Sequence, residues 1–342
     1  MRSHWHTCPC PARALYAGLT LLCGSLVLTV ASAAQPPAPG EGAPSALLPA
    51  GAARPLPRLD TRRDVHPGVK QDRDGNLIFR NEHLVAVVLK TGEGFGGVQF
   101  YPATRATERP SEPVATVLAL ARLMWREGEQ SQAATFMPTE VRLSRGNRAE
   151  LRGVVRAGGV SWETEAELWI GREAWLSWEV KTRPSVAARL TRFAPMPLRT
   201  GGEGPREALF PGLEYLEGDE STSGAGGAPG DANSAPRRLV PDPYRITIPL
   251  MSLVQNRTLV ALMWDQVQNW GGAGYPAALF GIPTRAEGQG SHRMELFLPP
   301  VPQYVKENEE VAAEPLPLEA GRQIRLSGKI VVRPEEANPT RA

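Results

Sequence analysis

The stretch SWETEAELWIGREAWLSWEVKT, Ser161 to Thr182, decides the fold. Trp162, Thr164, Ala166, Leu168 and Ile170 alternate with Glu163, Glu165, Glu167 and Trp169, so one face is apolar and the other carries charge. That period of two belongs to a strand with one side in a core and the other in water. Gly171-Arg172 supplies a Gly-X turn of the kind two-residue hairpins use. Ala174, Leu176, Trp178 and Val180 then resume the period on a return strand.

Working outward, the same logic makes a hairpin of LIFRNEHLVAVVL, turning at Asn81-Glu82, and another of ITIPLMSLVQNRTLVALMW, turning at Asn256-Arg257. Pro249 inside the latter run predicts an edge or bulge. Met294, Leu296 and Leu298, then Ile324, Leu326 and Ile330, continue the pattern. VATVLALARLMWREG, Val114 to Gly128, is Ala- and Leu-rich and fits either a helix or a strand; its β neighbours favour strand. No βαβ rhythm and no fixed repeat occurs. The expected fold is all-β, a large antiparallel β-sandwich or supersandwich with little helix.

Around that domain, residues 1–33 read as a signal peptide: Arg2 and Arg13, an uncharged apolar run, and Ala31-Ser32-Ala33 as a cleavage site. The alternative is an uncleaved membrane anchor. A Pro- and Ala-rich linker follows at 34–63, then the β domain at 64–335 with a flexible insert at 218–238, and a tail at 336–342. Export to the periplasm, the cell envelope or the medium is expected. Cys8, Cys10 and Cys23 all lie in the leader, so the remaining chain must be stabilised by packing without disulfides.

The leader takes two of the 38 Lys and Arg and none of the 36 Asp and Glu, leaving equal numbers behind. With no basic block either, nucleic acid is an unfavourable partner. GEGFGG, Gly92 to Gly97, fits a dinucleotide pattern, but VQFYP continues it as a strand where a helix is required, so no cofactor is expected. There is no Cys or His-x-x-x-His ligand set and no calcium-loop spacing, which leaves only a loose alternative at Glu217 and Asp219.

The order of DGNLIFRNEHLVAVVL, LFPGLEYLEGDE, RITIPLMSLV leading to LVALMWD, and HRMELFLPP resembles the galactose-mutarotase-like β-supersandwich of exported bacterial polysaccharide lyases and glycosidases. The resemblance implies a carbohydrate partner. Those mutarotases use two histidines and a glutamate, whereas only His66, His83 and His292 follow the leader here, none in a matching local motif, so no catalytic residue carries over. The helical catalytic domain that often follows this fold has no counterpart after the last strand; an accessory module or a truncated reading frame would both account for that.

Two places have sugar chemistry. WDQVQNWGGAGYP brings Trp264, Asp265, Gln268, Asn269, Trp270 and Tyr275 into one glycine-rich loop, aromatic faces for C–H surfaces and amides and acids for hydroxyls. The competing reading has these aromatics closing the core. FPGLEYLEGDE places Glu214 and Tyr215 where a strand gives way to the insert. The leading expectation is a module that binds or positions a polysaccharide or oligosaccharide. The alternatives are a carbohydrate-active enzyme, with Glu214, Asp265 and His292 as catalytic candidates, and a structural envelope protein.

Overall fold

A computed structural model describes residues 66–92, 94–103, 112–144, 146–201, 206–218, 220, 238–281, 292–301 and 314–334. All fall within one compact unit, Ala46–Ala342. The leader, the linker, most of the insert and the tail expected from the sequence lie outside the described residues.

The strands, in chain order, are β1 (Gly68–Gln71), β2 (Leu77–Arg80), β3 (Leu84–Thr91), β4 (Gly94–Pro102), β5 (Ala115–Val117), β6 (Ala121–Glu127), β7 (Gln130–Phe136), β8 (Glu140–Ser144), β9 (Arg148–Ala157), β10 (Val160–Ile170) and β11 (Trp175–Pro184). They continue as β12 (Ala188–Pro195), β13 (Leu198–Thr200), β14 (Arg206–Phe210), β15 (Glu214–Gly218), β16 (Arg238–Leu239), β17 (Leu250–Gln255), β18 (Thr258–Met263), β19 (Ala277–Gly281), β20 (His292–Phe297), β21 (Leu316–Leu318) and β22 (Ile324–Pro334). The helical content among the described residues is one 3₁₀ turn, Pro243–Arg245.

These strands form a nine-stranded sheet β1-β2-β3-β4-β5-β13-β20-β19-β16, a second of nine, β15-β14-β17-β18-β22-β11-β10-β9-β8, and a small one, β21-β12-β6-β7. Every pairing is antiparallel, as the alternating sequence demands. The even-numbered residues of β10 face inward with Leu176, Trp178 and Val180 of β11. They join one core with Phe79, Phe100 and Phe280 of the first sheet and Trp125 and Phe193 of the small sheet. Trp125 meets Trp162 at 5.5 Å between ring centroids, which ties the small sheet to the second large one.

The Val114 to Gly128 segment forms β5 and β6, so the strand reading holds. Asn256 and Arg257 both adopt positive φ, 49° and 59°, as a two-residue primed hairpin turn requires. The other turns are longer than the sequence suggests. Residues Gly171 to Ala174 separate β10 from β11, where a two-residue turn was expected, because the buried Asn81 side chain draws their carbonyls away: its Nδ2 donates to Gly171 O at 2.9 Å and Glu173 O at 2.6 Å. Asn81 Oδ1 in turn accepts from the backbone N–H groups of His83 and Leu84, so its own turn runs from Asn81 to His83. The run ITIPL becomes strand only at Leu250, so Pro249 stands just before β17. GEGFGG lies within the β3–β4 hairpin. Gly97 is required there because a Cβ would stand 2.2 Å from Val117 O of the neighbouring strand.

Candidate functional site

The loop after β18 begins with Trp264, whose ring packs edge-on against Phe210 at 6.2 Å and whose Nε1 donates to Gln266 Oε1. Trp270 is 1% exposed, its Nε1 donating to Gly274 O at 2.9 Å. Gly272 lies over that indole so closely that a Cβ would be 1.9 Å from its ring edge. Both indoles belong to the core cluster. They anchor the loop and offer no open face to a sugar, which corrects the expectation of platforms at these two positions.

What the anchored loop presents is polar. Gln268 is clamped to β22: its Oε1 accepts from Ser327 N at 2.8 Å, and its Nε2 reaches Ser327 O at 3.3 Å. The Arg325 guanidinium donates to Asn269 O at 2.9 Å, and Arg325 N donates to Trp270 O at 3.0 Å. Asp265 and Asn269 are exposed, each holding a backbone N–H of its own turn with one side-chain oxygen. Tyr275 is half-buried against the Tyr244 ring at 4.6 Å.

Ser327 and Arg325 pair with Glu179 and Lys181 of β11, so the loop forms a wall beside the outer face of the second sheet. A groove of about 400 Å³ lies on that face, lined chiefly by Glu140, Arg152, Glu163, Glu165, Lys181 and Arg183. Five of these six charges are paired: Arg183 with Glu163, Arg152 with Glu165 at 3.0 Å, and Lys181 with Glu179 at 2.9 Å. The hydrogen bond to Glu179 raises the Lys181 pKa and keeps the ammonium charged.

Further along the same face stand Trp169, under the Arg148 guanidinium at 5.2 Å, and Trp175, with Lys329 Nζ at 4.5 Å from its ring. Trp169 pairs with Ser177, two residues from Trp175, which makes the indoles diagonal neighbours. Among the described residues the other tryptophans, at 125, 162, 178, 264 and 270, are buried; these two are half-buried and turned outward. From Glu163 to Trp169 the face runs for about 20 Å at strand spacing. The sequence already placed Trp169 on the charged side of its strand. Trp175 follows from the same parity once the strand after the turn is in register.

The remaining candidates are dispersed. Glu214 opens β15, opposite Phe210. Asp265 follows β18, three strands across the sheet, about 14 Å at ordinary strand spacing. That backbone separation is wider than the roughly 5 to 9.5 Å that an acid and base need between their carboxyl groups across a glycosidic bond. Tyr215 is half-exposed and donates to Glu217 Oε1 at 2.6 Å, a bond that pushes its pKa up to about 12. Asp219 lies outside the described residues. His292 is fully buried on β20, and among the described residues neither ring nitrogen has a hydrogen-bond partner. Desolvation, helped by the Arg206 charge, lowers its pKa to about 3. A neutral imidazole closed off from water cannot exchange protons with a substrate. Glu295, also buried, is bound by Arg192 at 2.6 Å and Arg293 at 2.5 Å. Burial pushes its pKa up, but these two cations outweigh that and hold it well below the carboxylate range.

No family model and no curated protein matches the sequence. Solved structures similar to the chain include the galactosidase domain of an α-galactosidase–sucrose kinase, AgaSK, with a TM-score of 0.49 at 10% identity over 78% of this chain and 42% of that one. A galactose mutarotase-like protein from Lactobacillus casei gives 0.46 at 10% identity over 76% of this chain and 100% of that one. A putative aldose 1-epimerase from Escherichia coli K12 gives 0.42 at 9% identity over 75% and 98%. At such scores and identities the likeness is one of fold and extends to no residue or reaction.

Proposed function

We propose that the chain is an exported β-sandwich module that binds a glycan along the outer face of its second nine-stranded sheet and positions it without turning it over. The observation that carries this reading is the outward placement of Trp169 and Trp175 on neighbouring central strands, when the other described tryptophans are buried. Indoles set in a rigid sheet offer flat apolar surface at little entropic cost, and the adjoining groove offers carboxylate, ammonium and guanidinium groups to hydroxyls. The length of the face suits an oligosaccharide better than a single sugar. Support for export comes from the leader pattern alone. Binding is favoured over catalysis because Glu214 and Asp265 stand three strands apart, His292 is sealed, and two of the three groove carboxylates, Glu163 and Glu165, are each engaged by an arginine.

Isothermal titration against gluco- and galacto-oligosaccharides of two to eight residues, with affinity gels for polysaccharides, tests the proposal. Trp169→Ala and Trp175→Ala should each weaken binding about tenfold while leaving urea unfolding cooperative. Wild-type affinity retained in both variants would overturn it.

A further inference from the structure

On the side of the wall loop away from β22, two tyrosines form a second aromatic surface. Tyr244 sits on the 3₁₀ turn, where Pro243 fixes the backbone and Asp242 Oδ1 accepts from Tyr244 N at 3.0 Å. Tyr275 follows Gly274, whose carbonyl is held by the buried Trp270 indole. Gln266 joins the two elements, accepting from Trp264 Nε1 and donating to Pro243 O at 2.9 Å. The rings meet at 4.6 Å with 39° between their planes, an open corner in place of a closed stack, and Tyr244 remains 50% exposed. Core indoles and short hydrogen bonds fix both backbones, so a ligand orders little on docking there.

We infer that the Tyr244–Tyr275 corner is a second sugar-binding contact, which takes one residue of a glycan chain whose main hold is the Trp169–Trp175 face. A tyrosine pair suits a sugar: the rings take its C–H face and the phenol hydroxyls donate to and accept from its rim. One loop separates the corner from the sheet face, with Gln268 clamped on the sheet side and Gln266 on the tyrosine side. From β11 across β22 to the loop is two strand steps, about 10 Å at ordinary strand spacing.

The inference rests on the sheet-face reading, and titration of an oligosaccharide length series separates the two. With gluco- and galacto-oligosaccharides of two to eight residues, the wild type should gain about fivefold in affinity at the length that first spans the loop. Tyr244→Ala and Tyr275→Ala should lose that gain and bind the shorter members as the wild type does, and Tyr244→Phe should keep the greater part of it. Trp169→Ala should weaken every length. If the gain with length persists in both tyrosine variants while Trp169→Ala still weakens binding, the corner is overturned and the face stands. Absence of binding by the wild type to any member overturns both.

Discussion

Lowering the pH below neutrality should destabilise this domain through His292. The imidazole is buried against Phe280 at 5.3 Å between ring centroids and has no hydrogen-bond partner among the described residues, so protonation in the native state must place a cation in the core without compensation. Its pKa falls from 6.5 in the unfolded chain to about 3 in the fold. Between those values the unfolded chain binds a proton that the native state refuses, so stability falls as pH falls below 6.5. At 1.36 kcal/mol per unit, the loss from pH 7 to pH 5 is about 2 kcal/mol. Glu295 acts in a lower window, because its depressed pKa gives stability that is lost only as pH drops below the ordinary carboxylate range. Urea denaturation at pH 7 and pH 5 should show the 2 kcal/mol loss in the wild type, and His292→Leu and His292→Phe should lack it. Parallel pH dependence in wild type and variants would refute the reasoning. Should neither variant fold, an NMR titration showing the His292 ring protonated at pH 5 would refute it as well.

Other outcomes follow from close contacts. Gly97→Ala should cost about 1–3 kcal/mol in denaturant melts, since its Cβ would meet the Val117 carbonyl at 2.2 Å and one strand must move. Asn81→Ala should cost about 2–4 kcal/mol, because it strips partners from two carbonyls and two N–H groups at one buried point. Asn81→Asp, which keeps the acceptor and loses the donor, should recover only part of this. Arg257→Gly should stabilise by roughly 0.5–1 kcal/mol, measured as a raised urea midpoint, because its φ of 59° suits glycine better than an L side chain.

The strands were legible because each carries its own evidence: Trp162 to Ile170 shows the alternation, and Asn256-Arg257 names its turn. Turn lengths were less so. The Gly171 to Ala174 connection is set by Asn81, some 90 residues earlier, and no local pattern records such a bond. The candidate site fared likewise. The chemistry of the Trp264 to Tyr275 loop was readable, but which rings go inward depends on Phe210 and on the backbone of β22. Trp169 was visible as an outward residue from its parity alone, yet its worth as a surface depends on Trp175 lying beside it, a fact of register across the hairpin. Tyr244 in PDPYR gave no signal beyond a proline turn, since its partner is 31 residues away along the chain.

The position of β22 in the second sheet governs how the domain can be made. This strand, Ile324–Pro334, is the last in the described chain, yet it lies mid-sheet and joins β18 on one side to β11 on the other. Until it is in place, β15-β14-β17-β18 and β11-β10-β9-β8 are two separate half-sheets with two bare apolar edges facing each other. A ribosome must therefore release nearly all of the β domain before the sandwich can close. During that interval the chain is open to chaperones and proteases, and to threading through a narrow channel.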